Sequence, residues 1–525
     1  MARRIVLPEL ESNLPTANDL RYLSPTETSV ADNGRDIATV AEAAANLNRT
    51  GAIWNVGPNG QITYSFLDHA PTGQYNSPKS GLAPSVAEFS PFNTAQRTAA
   101  RDSIQLWDDL VAVKFVEKNG AGAADVLFMN TGEGGTLQAA AYTPFYAGGH
   151  GKFGKIQGDV FVNGNEGSNF DLGYGGYGQT ALVHEIGHAV GLSHIGDYNA
   201  SDDDDGDGKP DPITYEGDAF IFQDSYQYSI MSYFSHAETG AVGYVNWETG
   251  GYYQTPQTPL VHDIAAVQAM YGADLTTRTG DTSYGFTNTS GRAVCDFATN
   301  KNPFLTIYDA GGQDTLDMSG FTGGRIVLDL RDGAFSTGYN YGSAAELNAT
   351  WGTTLAQATW DAIYDGRTTN PGFLTENIGI AYGTIIENGK TGAGNDTLLG
   401  NAVANRLDAG AGNDVINGAG GNDTLIGGSG NDRFVFGNIG GVDKILDFVS
   451  GTDKIDLRLF DPGAAVGDQA MVFVGNAAFG SIAGEVRSYN AGGINHVAGD
   501  VDGNGVADFI IVTGSTVVLS SDLFH

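Results

Sequence analysis

Residues 184–194 read HEIGHAVGLSH and contain three of the chain's nine histidines. On a helix, His184 and His188 lie on one face, and the glutamate that follows His184 stands about 100° around the axis. Gly191 can adopt the left-handed conformation that ends a helix, which would bring His194 back toward the same point. The spacing therefore predicts a helix that supplies two metal ligands and a base, with a third ligand from the chain beyond it.

Three neutral imidazoles leave one position on a zinc ion for water, as in a catalytic zinc site. Such a site lowers the pKa of the water to about 7, and Glu185 can take its proton as the water attacks a carbonyl group. The alternatives are a helix with ordinary surface histidines and a structural zinc site. A structural site usually closes with cysteine, and the only cysteine is Cys295, far downstream. The pattern favours the catalytic site, and its natural use is peptide hydrolysis.

Short glycine-rich stretches that end in aspartate recur on a nine-residue period between residues 392 and 432. Their aspartates are Asp396, Asp414, Asp423 and Asp432, and Asn405 holds the same position in a turn without aspartate. Two residues after each of these positions stands an apolar residue: Leu398, Leu407, Ile416, Leu425 and Phe434. We expect these residues to stack inside a parallel β-roll rather than to lie in a disordered linker, because a linker keeps no apolar residue on a fixed period.

The same turns predict calcium sites. Glycines permit the tight turns, and aspartate carboxylates with turn carbonyls supply the oxygen ligands that calcium prefers. The predicted ligands are Gly392, Gly394, Asp396, Gly410, Gly412, Asp414, Gly421, Asp423, Gly428, Gly430 and Asp432. Without calcium, repulsion among the aspartates should unfold the roll.

Residues 229–234 read SIMSYF and follow His194 in the chain. At this place in their sequences, metzincins have a tight turn whose methionine lies beneath the zinc ligands. Together with residues 184–194 and the glycine-rich repeats, this turn resembles the motifs of serralysins, secreted bacterial zinc endopeptidases of the metzincin group. The resemblance runs from about residue 50 to the end of the chain. It implies that Tyr233 is a hinged fifth zinc ligand that swings away from zinc and donates a hydrogen bond to the tetrahedral intermediate. Taken alone, Met231 and Tyr233 would be packing residues.

The resemblance also implies further calcium sites outside the nine-residue repeats. Their expected ligands are Arg278, Gly280 and Thr282, mainly through carbonyls, and Asp309, Gly311, Asp314 and Glu387. Each segment taken alone reads equally well as a solvated turn.

Two features depart from the family pattern. Residues 203–211 and 500–508 have the oxygen spacing of an EF-hand without its glutamate at position twelve, so calcium binding and a solvated acidic loop both stay open. Ile195 stands where serralysins commonly carry proline after the third histidine. We expect zinc binding to persist and the turn that follows to be less rigid.

The predicted fold is an α/β metzincin-type catalytic domain followed by an all-β parallel β-roll domain. Apolar patterns predict strands over residues 62–67, 125–129, 139–142 and 158–163 and helices over 94–113 and 259–272. By the resemblance, residues 139–142 form the edge strand that pairs with substrate. The expected division is an N-terminal extension or propeptide (1–50), a catalytic domain (51–275), a calcium-binding roll (276–460) and a C-terminal β region with a type I secretion signal (461–525).

The formal net charge of −35 argues against nucleic-acid binding and for cation sites. A single cysteine allows no intrachain disulfide, so we expect calcium to stabilise the protein outside the cell. Residues 1–10 do not form a cleavable signal peptide, and no apolar run predicts a membrane span. The resemblance instead implies a type I secretion apparatus that reads an uncleaved C-terminal signal. Residues 522–525 nearly fit this signal, apart from the terminal His525, and could also form an ordinary edge strand.

We therefore expect a secreted, extracellular, bacterial zinc endopeptidase with one catalytic Zn²⁺ and several structural Ca²⁺ ions. The expected state is a monomer that acts on proteins or peptides, with a proteinaceous inhibitor as a further candidate partner. One alternative is a catalytically silent calcium-binding surface or adhesion protein, against which the presence of Glu185 counts. Another is an enzyme that hydrolyses non-peptide amides.

Overall fold

The structure is a computed structural model, which describes residues 26, 29–31, 33–56, 60–71, 89–118, 124–132, 138–144, 156–199, 211–241, 244–245, 252–322, 324–339, 354, 356, 374–462 and 470–524. Two large clusters of buried apolar side chains lie within these residues. One comes mostly from residues 38–267 and the other from residues 284–523.

The first cluster lies among five helices and a small sheet. The helices are α1 (Val40–Leu47), α2 (Thr94–Asp108), α3 (Tyr177–Val190), α4 (Tyr215–Asp218) and α5 (Val261–Tyr271). The sheet contains β1 (Gln61–Phe66), β2 (Lys114–Glu117), β3 (Val126–Thr131), β4 (Ala139–Ala141) and β5 (Val160–Asn163). Its strand order is β2-β1-β3-β5-β4, with every pair parallel except β4 and β5. A two-stranded sheet, β6 (Tyr244–Val245) and β7 (Tyr252–Tyr253), follows α4.

Helix α2 begins where the sequence predicts it and ends earlier than predicted. Asn93 and Gln96 form a reciprocal capping box at its start. The helix ends at Asp108, whose carboxylate accepts a hydrogen bond from the Phe115 amide at 2.7 Å. Residues 110–113 then continue as a turn with apolar side chains that stay buried, which is why the sequence pattern extends past the helix.

The second cluster lies between β-sheets. The strands are β8 (Ser283–Gly285), β9 (Leu305–Ile307), β10 (Thr315–Asp317), β11 (Val327–Asp329), β12 (Phe335–Ser336), β13 (Ile378–Ile380), β14 (Asn388–Lys390), β15 (Thr397–Leu399), β16 (Arg406–Asp408), β17 (Val415–Asn417), β18 (Thr424–Ile426), β19 (Arg433–Val435), β20 (Val442–Ile445), β21 (Lys454–Asp456), β22 (Val472–Phe473), β23 (Glu485–Ala491), β24 (Ile494–Asp500), β25 (Phe509–Gly514) and β26 (Leu523–Phe524). They form a ten-stranded sheet (β22-β23-β24-β25-β20-β18-β16-β14-β10-β8), a six-stranded sheet (β11-β15-β17-β19-β21-β26) and a three-stranded sheet (β12-β13-β9).

Consecutive strands from β14 to β21 alternate between the ten-stranded and the six-stranded sheet, and neighbours within each sheet are parallel. The apolar residues of the nine-residue period are fully buried between the two sheets: Leu398, Leu407, Ile416, Leu425 and Phe434. At Gly412, φ is +145° and a Cβ atom would lie 1.6 Å from the Gly394 oxygen, so only glycine fits. This region has few helices and mostly parallel strands among its described residues, in agreement with the predicted all-β class.

No helix among the described residues combines the length and apolarity that a membrane crossing requires.

Candidate active site

The three histidines of residues 184–194 converge on one point. His184 and His188 lie on α3, which ends at Gly191 with φ +115°. A Cβ atom on Gly191 would lie 2.3 Å from the Ala52 oxygen, so glycine is required both for the turn and for the close approach. The turn returns His194, whose Nε2 lies 3.1 Å from Nε2 of His188 and 3.3 Å from Nε2 of His184.

A main-chain carbonyl orients each imidazole. The Nδ1 atoms lie 2.7, 2.7 and 2.8 Å from the oxygens of Ile230, Leu192 and Tyr198 respectively. A carbonyl can only accept, so each Nδ1 carries the hydrogen and donates it, which leaves each Nε2 lone pair available for a metal. Burial lowers the pKa of His184 to about 3 and of His188 to about 4, and lowers that of His194 as well. The site therefore holds three neutral imidazoles.

This geometry fits zinc. With Zn–N distances of about 2.0–2.1 Å, the edge of a tetrahedral site is about 3.3 Å, close to both separations between the Nε2 atoms. Three nitrogen ligands and no charged residue among them are the donor set of a zinc site with an open position.

Glu185 lies beside the histidines and is buried. Among the described residues, its Oε2 atom has no hydrogen-bond partner. Burial raises the pKa of Glu185 to about 8. A carboxyl group with an unpartnered oxygen and a pKa near neutrality can accept a proton from water in this position.

The turn at residues 229–234 lies against α3. The Met231 side chain is fully buried and its sulfur packs against Gly187. Asp263, at the start of α5, accepts hydrogen bonds from the Ser229 hydroxyl at 2.6 Å and the Ile230 amide at 2.8 Å. Because the Ile230 oxygen accepts from His184, this turn also positions a histidine.

Gly187→Ala is expected to destabilise this packing. The new Cβ atom would lie 2.5 Å from the Met231 sulfur and 3.2 Å from the Trp107 ring, so buried side chains would have to move. Overpacking of this kind costs about 1–3 kcal/mol in the free energy of unfolding, which urea titration measures. Gly167→Ala is the control, because its Cβ atom would meet nothing within 4 Å. Equal unfolding midpoints for the two variants would contradict the packing argument.

Tyr233 lies at the rim of the histidine cluster. Its ring centroid is 4.4 Å from that of His194 and 6.0 Å from that of His184, and 37% of the residue is exposed. The structure thus places Tyr233 beside His194 and within 6.0 Å of His184.

The sequence predicts no role for five residues around this cluster. Asp263 holds the turn below the histidines, and Tyr198, bonded to Asp224 at 2.9 Å, packs its ring on His194. Arg49 donates to the His194 oxygen and forms an ion pair with Asp197 at 3.3 Å. The position of Tyr198, four residues after a ligand, is the one local signal that could have drawn attention to any of them.

The expected calcium ligands ahead of the roll also come together. Asp314 is central: its Oδ1 accepts from the Thr282 amide at 2.7 Å, and its own amide donates to Glu387 at 2.8 Å. Gly280 lies in contact, since its oxygen is 2.8 Å from the Thr282 hydroxyl. Asp309 accepts from the Gly311 amide at 2.9 Å and adds to the negative charge that raises the pKa of Asp314, after burial, to about 7. The Arg278 side chain points elsewhere, to an ion pair with Asp109 at 2.7 Å, so only its main chain remains for a cation.

The roll carries two rows of aspartates. In one row, the amides of Asp396 and Asp414 donate to the carboxylates of Asp414 and Asp432, at 2.7 and 3.0 Å. The glycines of this row, Gly392, Gly394, Gly410, Gly412, Gly428 and Gly430, stack in the same turns. In the other row, the Asn405 amide donates to Asp423 at 2.8 Å, and Gly421 stacks against residues 403–404.

The rows continue beyond the predicted ligands. The backbone amide of Asp432 donates to the Asp453 carboxylate at 3.1 Å, and that of Asp423 donates to the Asp443 carboxylate at 2.9 Å. Asp443 and Asp453 were not predicted as ligands because they break the nine-residue period. The signal that could have found them is the buried isoleucine two residues after each, Ile445 and Ile455.

Only one of the two EF-hand-like loops lies fully within the described residues. Of residues 203–211, only Asp211 lies within the described part of the chain. In the loop at 500–508, Asp500 is buried and accepts from the amides of Gly503, Asn504 and Gly505. Residue 525 lies outside the described residues, while Leu523 and Phe524 form edge strand β26 beside β21.

Comparison with known proteins identifies the family of the chain. Residues 273–342 and 362–524 match the family model described as Peptidase M10 serralysin C terminal. Metallopeptidase AprA of Pseudomonas marginalis is 38% identical over 93% of this chain and 91% of its own length. Serralysin of Photorhabdus laumondii is 38% identical over 77% and 73%, and serralysin G of Dickeya chrysanthemi is 34% identical over 81% and 78%. The resemblance inferred from the motifs is confirmed: the chain belongs to the serralysin family and is a zinc metalloendopeptidase.

Proposed function

We propose that His184, His188 and His194 bind the catalytic zinc and that Glu185 is the general base of peptide hydrolysis. The observation that carries this assignment is the convergence of three Nε2 lone pairs beside the unpartnered Oε2 of Glu185. Each Nδ1 bond to a carbonyl supports the assignment, because it selects the tautomer that a zinc ligand needs.

The zinc site, Glu185 and Tyr233 have different roles in the proposed reaction. Zinc, when bound, polarises the substrate carbonyl and lowers the pKa of a water molecule to about 7. Glu185 accepts the proton of the attacking water on its Oε2 atom and holds it in a buried site, from which it can pass to the leaving nitrogen. Tyr233, partly exposed and in contact with the His194 ring, turns its hydroxyl toward the oxygen on which negative charge develops.

We propose that substrates are extended protein segments that pair with β4. This strand is the antiparallel edge of the five-stranded sheet, and α3 packs close to it. Pairing along an edge strand uses main-chain hydrogen bonds, so recognition would depend little on side chains. We therefore expect the enzyme to cleave peptide bonds in many different sequences.

Structural calcium is the second part of the proposal. The Oδ2 atoms of Asp314, Asp396 and Asp414 are buried and have no hydrogen-bond partner among the described residues. Buried carboxylate oxygens without donors cost several kcal/mol unless a cation or proton meets them. Asn405 offers a contrast within the roll. Its side-chain amide donates to the main-chain oxygen of Glu387 at 3.0 Å, and its Oδ1 accepts from the Asn401 backbone amide at 2.8 Å, so this turn is satisfied without a cation.

The remaining assignments follow from the family. We propose a metzincin-type catalytic domain up to about residue 275, the calcium-binding β-roll to about 460 and a C-terminal region with a type I secretion signal, in a monomeric protein exported from the bacterial cell. Helix α1 belongs with the catalytic domain, since Ala43 and Leu47 lie fully in its core and Arg49 holds the His194 turn. A propeptide would then end before α1. A proteinaceous inhibitor remains a candidate partner.

Casein digestion tests the function. Purified protein in calcium and zinc is expected to cleave casein at peptide bonds, as sequencing of the fragments would show. Treatment with o-phenanthroline should abolish cleavage, a non-chelating isomer should not, and added zinc should restore it. Failure of the intact chain and of chains shortened up to residue 33 to cleave casein would overturn the proposal in favour of a calcium-binding module.

A further inference from the structure

The third histidine is held by a loop rather than by the helix. His184 and His188 are fixed by α3, whereas His194 follows the helix end at Gly191. Its position therefore depends on what supports residues 192–199. The residue after His194 is Ile195, whose backbone lacks the restriction that a proline ring would impose. Something else must order the loop.

Tyr198 contacts His194 in two ways. Its main-chain oxygen accepts the Nδ1 hydrogen of His194 at 2.8 Å. Its ring stacks on the His194 ring, with the centroids 5.3 Å apart and the planes 5° from parallel. The same ring lies 5.3 Å from that of Tyr233. One side chain thus contacts both a zinc ligand and the tyrosine proposed to move during the reaction.

The Tyr198 side chain is itself anchored. Its hydroxyl donates to Asp224 Oδ1 at 2.9 Å, and both residues are buried, with 2% of Tyr198 and none of Asp224 exposed. If Tyr198 only packed against apolar neighbours, no carboxylate would be needed opposite its hydroxyl. A carboxylate is costly to bury, so its presence indicates that the hydrogen bond matters.

We propose that Tyr198 is a positioning residue for His194 and that the bond from its hydroxyl to Asp224 sets the affinity of the site for zinc. This inference rests on the proposed zinc site and adds what holds its third ligand. The Tyr198–Asp224 bond anchors the Tyr198 ring, and the ring in turn supports the loop that carries His194.

Zinc affinity of the full-length, calcium-loaded protein tests the proposal. Tyr198→Phe removes one oxygen and keeps the stacked ring and the main-chain carbonyl. We expect its Kd for zinc, measured by competition with a chelator of known affinity, to rise about tenfold, as for other residues that orient a metal ligand. Tyr308→Phe is the matched control, because it also removes a buried hydroxyl, which donates to the main-chain oxygen of Asp274 at 2.8 Å, at a position far from the histidines in sequence. Its Kd should stay within about twofold of wild type.

Asp224 provides a second, independent variant. Asp224→Asn retains an oxygen that can accept from Tyr198 and should bind zinc within about twofold of wild type, whereas Asp224→Ala should weaken binding as much as Tyr198→Phe. Equal zinc affinity of Tyr198→Phe and wild type would overturn the positioning role while leaving the zinc site intact. Absence of zinc binding by the wild type would instead overturn the proposed function. Thermal unfolding of each zinc-free variant separates a loss of fold from a loss of affinity.

Discussion

Glu185→Gln is expected to lower kcat/KM for a peptide substrate by about 10²- to 10⁴-fold, the contribution of a general base. Glutamine has nearly the same shape and stays uncharged, so the buried position can accommodate it. Its amide cannot take the proton of the attacking water. The three Nε2 atoms are untouched, and zinc content measured by atomic absorption should therefore equal that of wild type.

The control for this variant is Glu238→Gln, which makes the same chemical change on an exposed residue of a short 3₁₀ turn. It should retain wild-type kcat/KM. A Glu185→Gln protein that binds zinc fully and keeps more than about a tenth of the wild-type rate would rule out Glu185 as the base. Loss of zinc from this variant would point to a structural role for the carboxylate instead.

Removal of calcium at pH 8 is expected to unfold the roll. Five buried aspartates of the predicted sites have raised pKa values: Asp414 about 8, Asp314 and Asp423 about 7, and Asp396 and Asp432 about 6. Burial is the main cause in each case. At pH 8 most of these groups must ionise, and without cations their charges oppose folding.

The stability of the calcium-free roll is expected to fall as the pH rises. An ordinary aspartate has a pKa near 4, so these groups bind more protons in the folded roll than in the unfolded chain. Their contribution to stability is fully present below about pH 4 and is lost as the pH rises through about 6 to 8. The calcium-free roll should therefore unfold at a higher temperature at pH 5 than at pH 8, the reverse of the usual behaviour of salt-bridged carboxylates.

Circular dichroism of protein freed of calcium on a chelating resin measures both effects. Adding calcium at pH 8 should restore the β-sheet signal. Asp414→Ala should raise the calcium concentration needed for half-refolding, while Asp461→Ala, at an exposed position, should not. A roll that stays folded at pH 8 without calcium would contradict the proposal that cations meet the unpartnered oxygens.

Several parts of the molecule could be predicted because they depend on local periodicity. His184 and His188 lie one helical turn apart, and Gly191 ends the helix as its lack of a side chain allows. The nine-residue period placed Leu398, Ile416 and the other stacked residues inside the roll for the same reason: each turn repeats its own geometry. Where the period changes, at Asp443 and Asp453, the prediction stopped short of residues that the structure places in the same rows.

Contacts between distant segments could not be predicted in this way. Sequence alone determined the three histidines, Glu185, the methionine turn and the repeat, because each is a short pattern with its own geometry. Only the tertiary structure decided that Tyr198 is bonded to Asp224 and that Arg49 reaches the His194 oxygen. These residues carry no periodic pattern, and what brings them together is the packing of loops and helices around one buried core. The proposed metal ligands are thus encoded locally, whereas the groups that hold them in place depend on the fold.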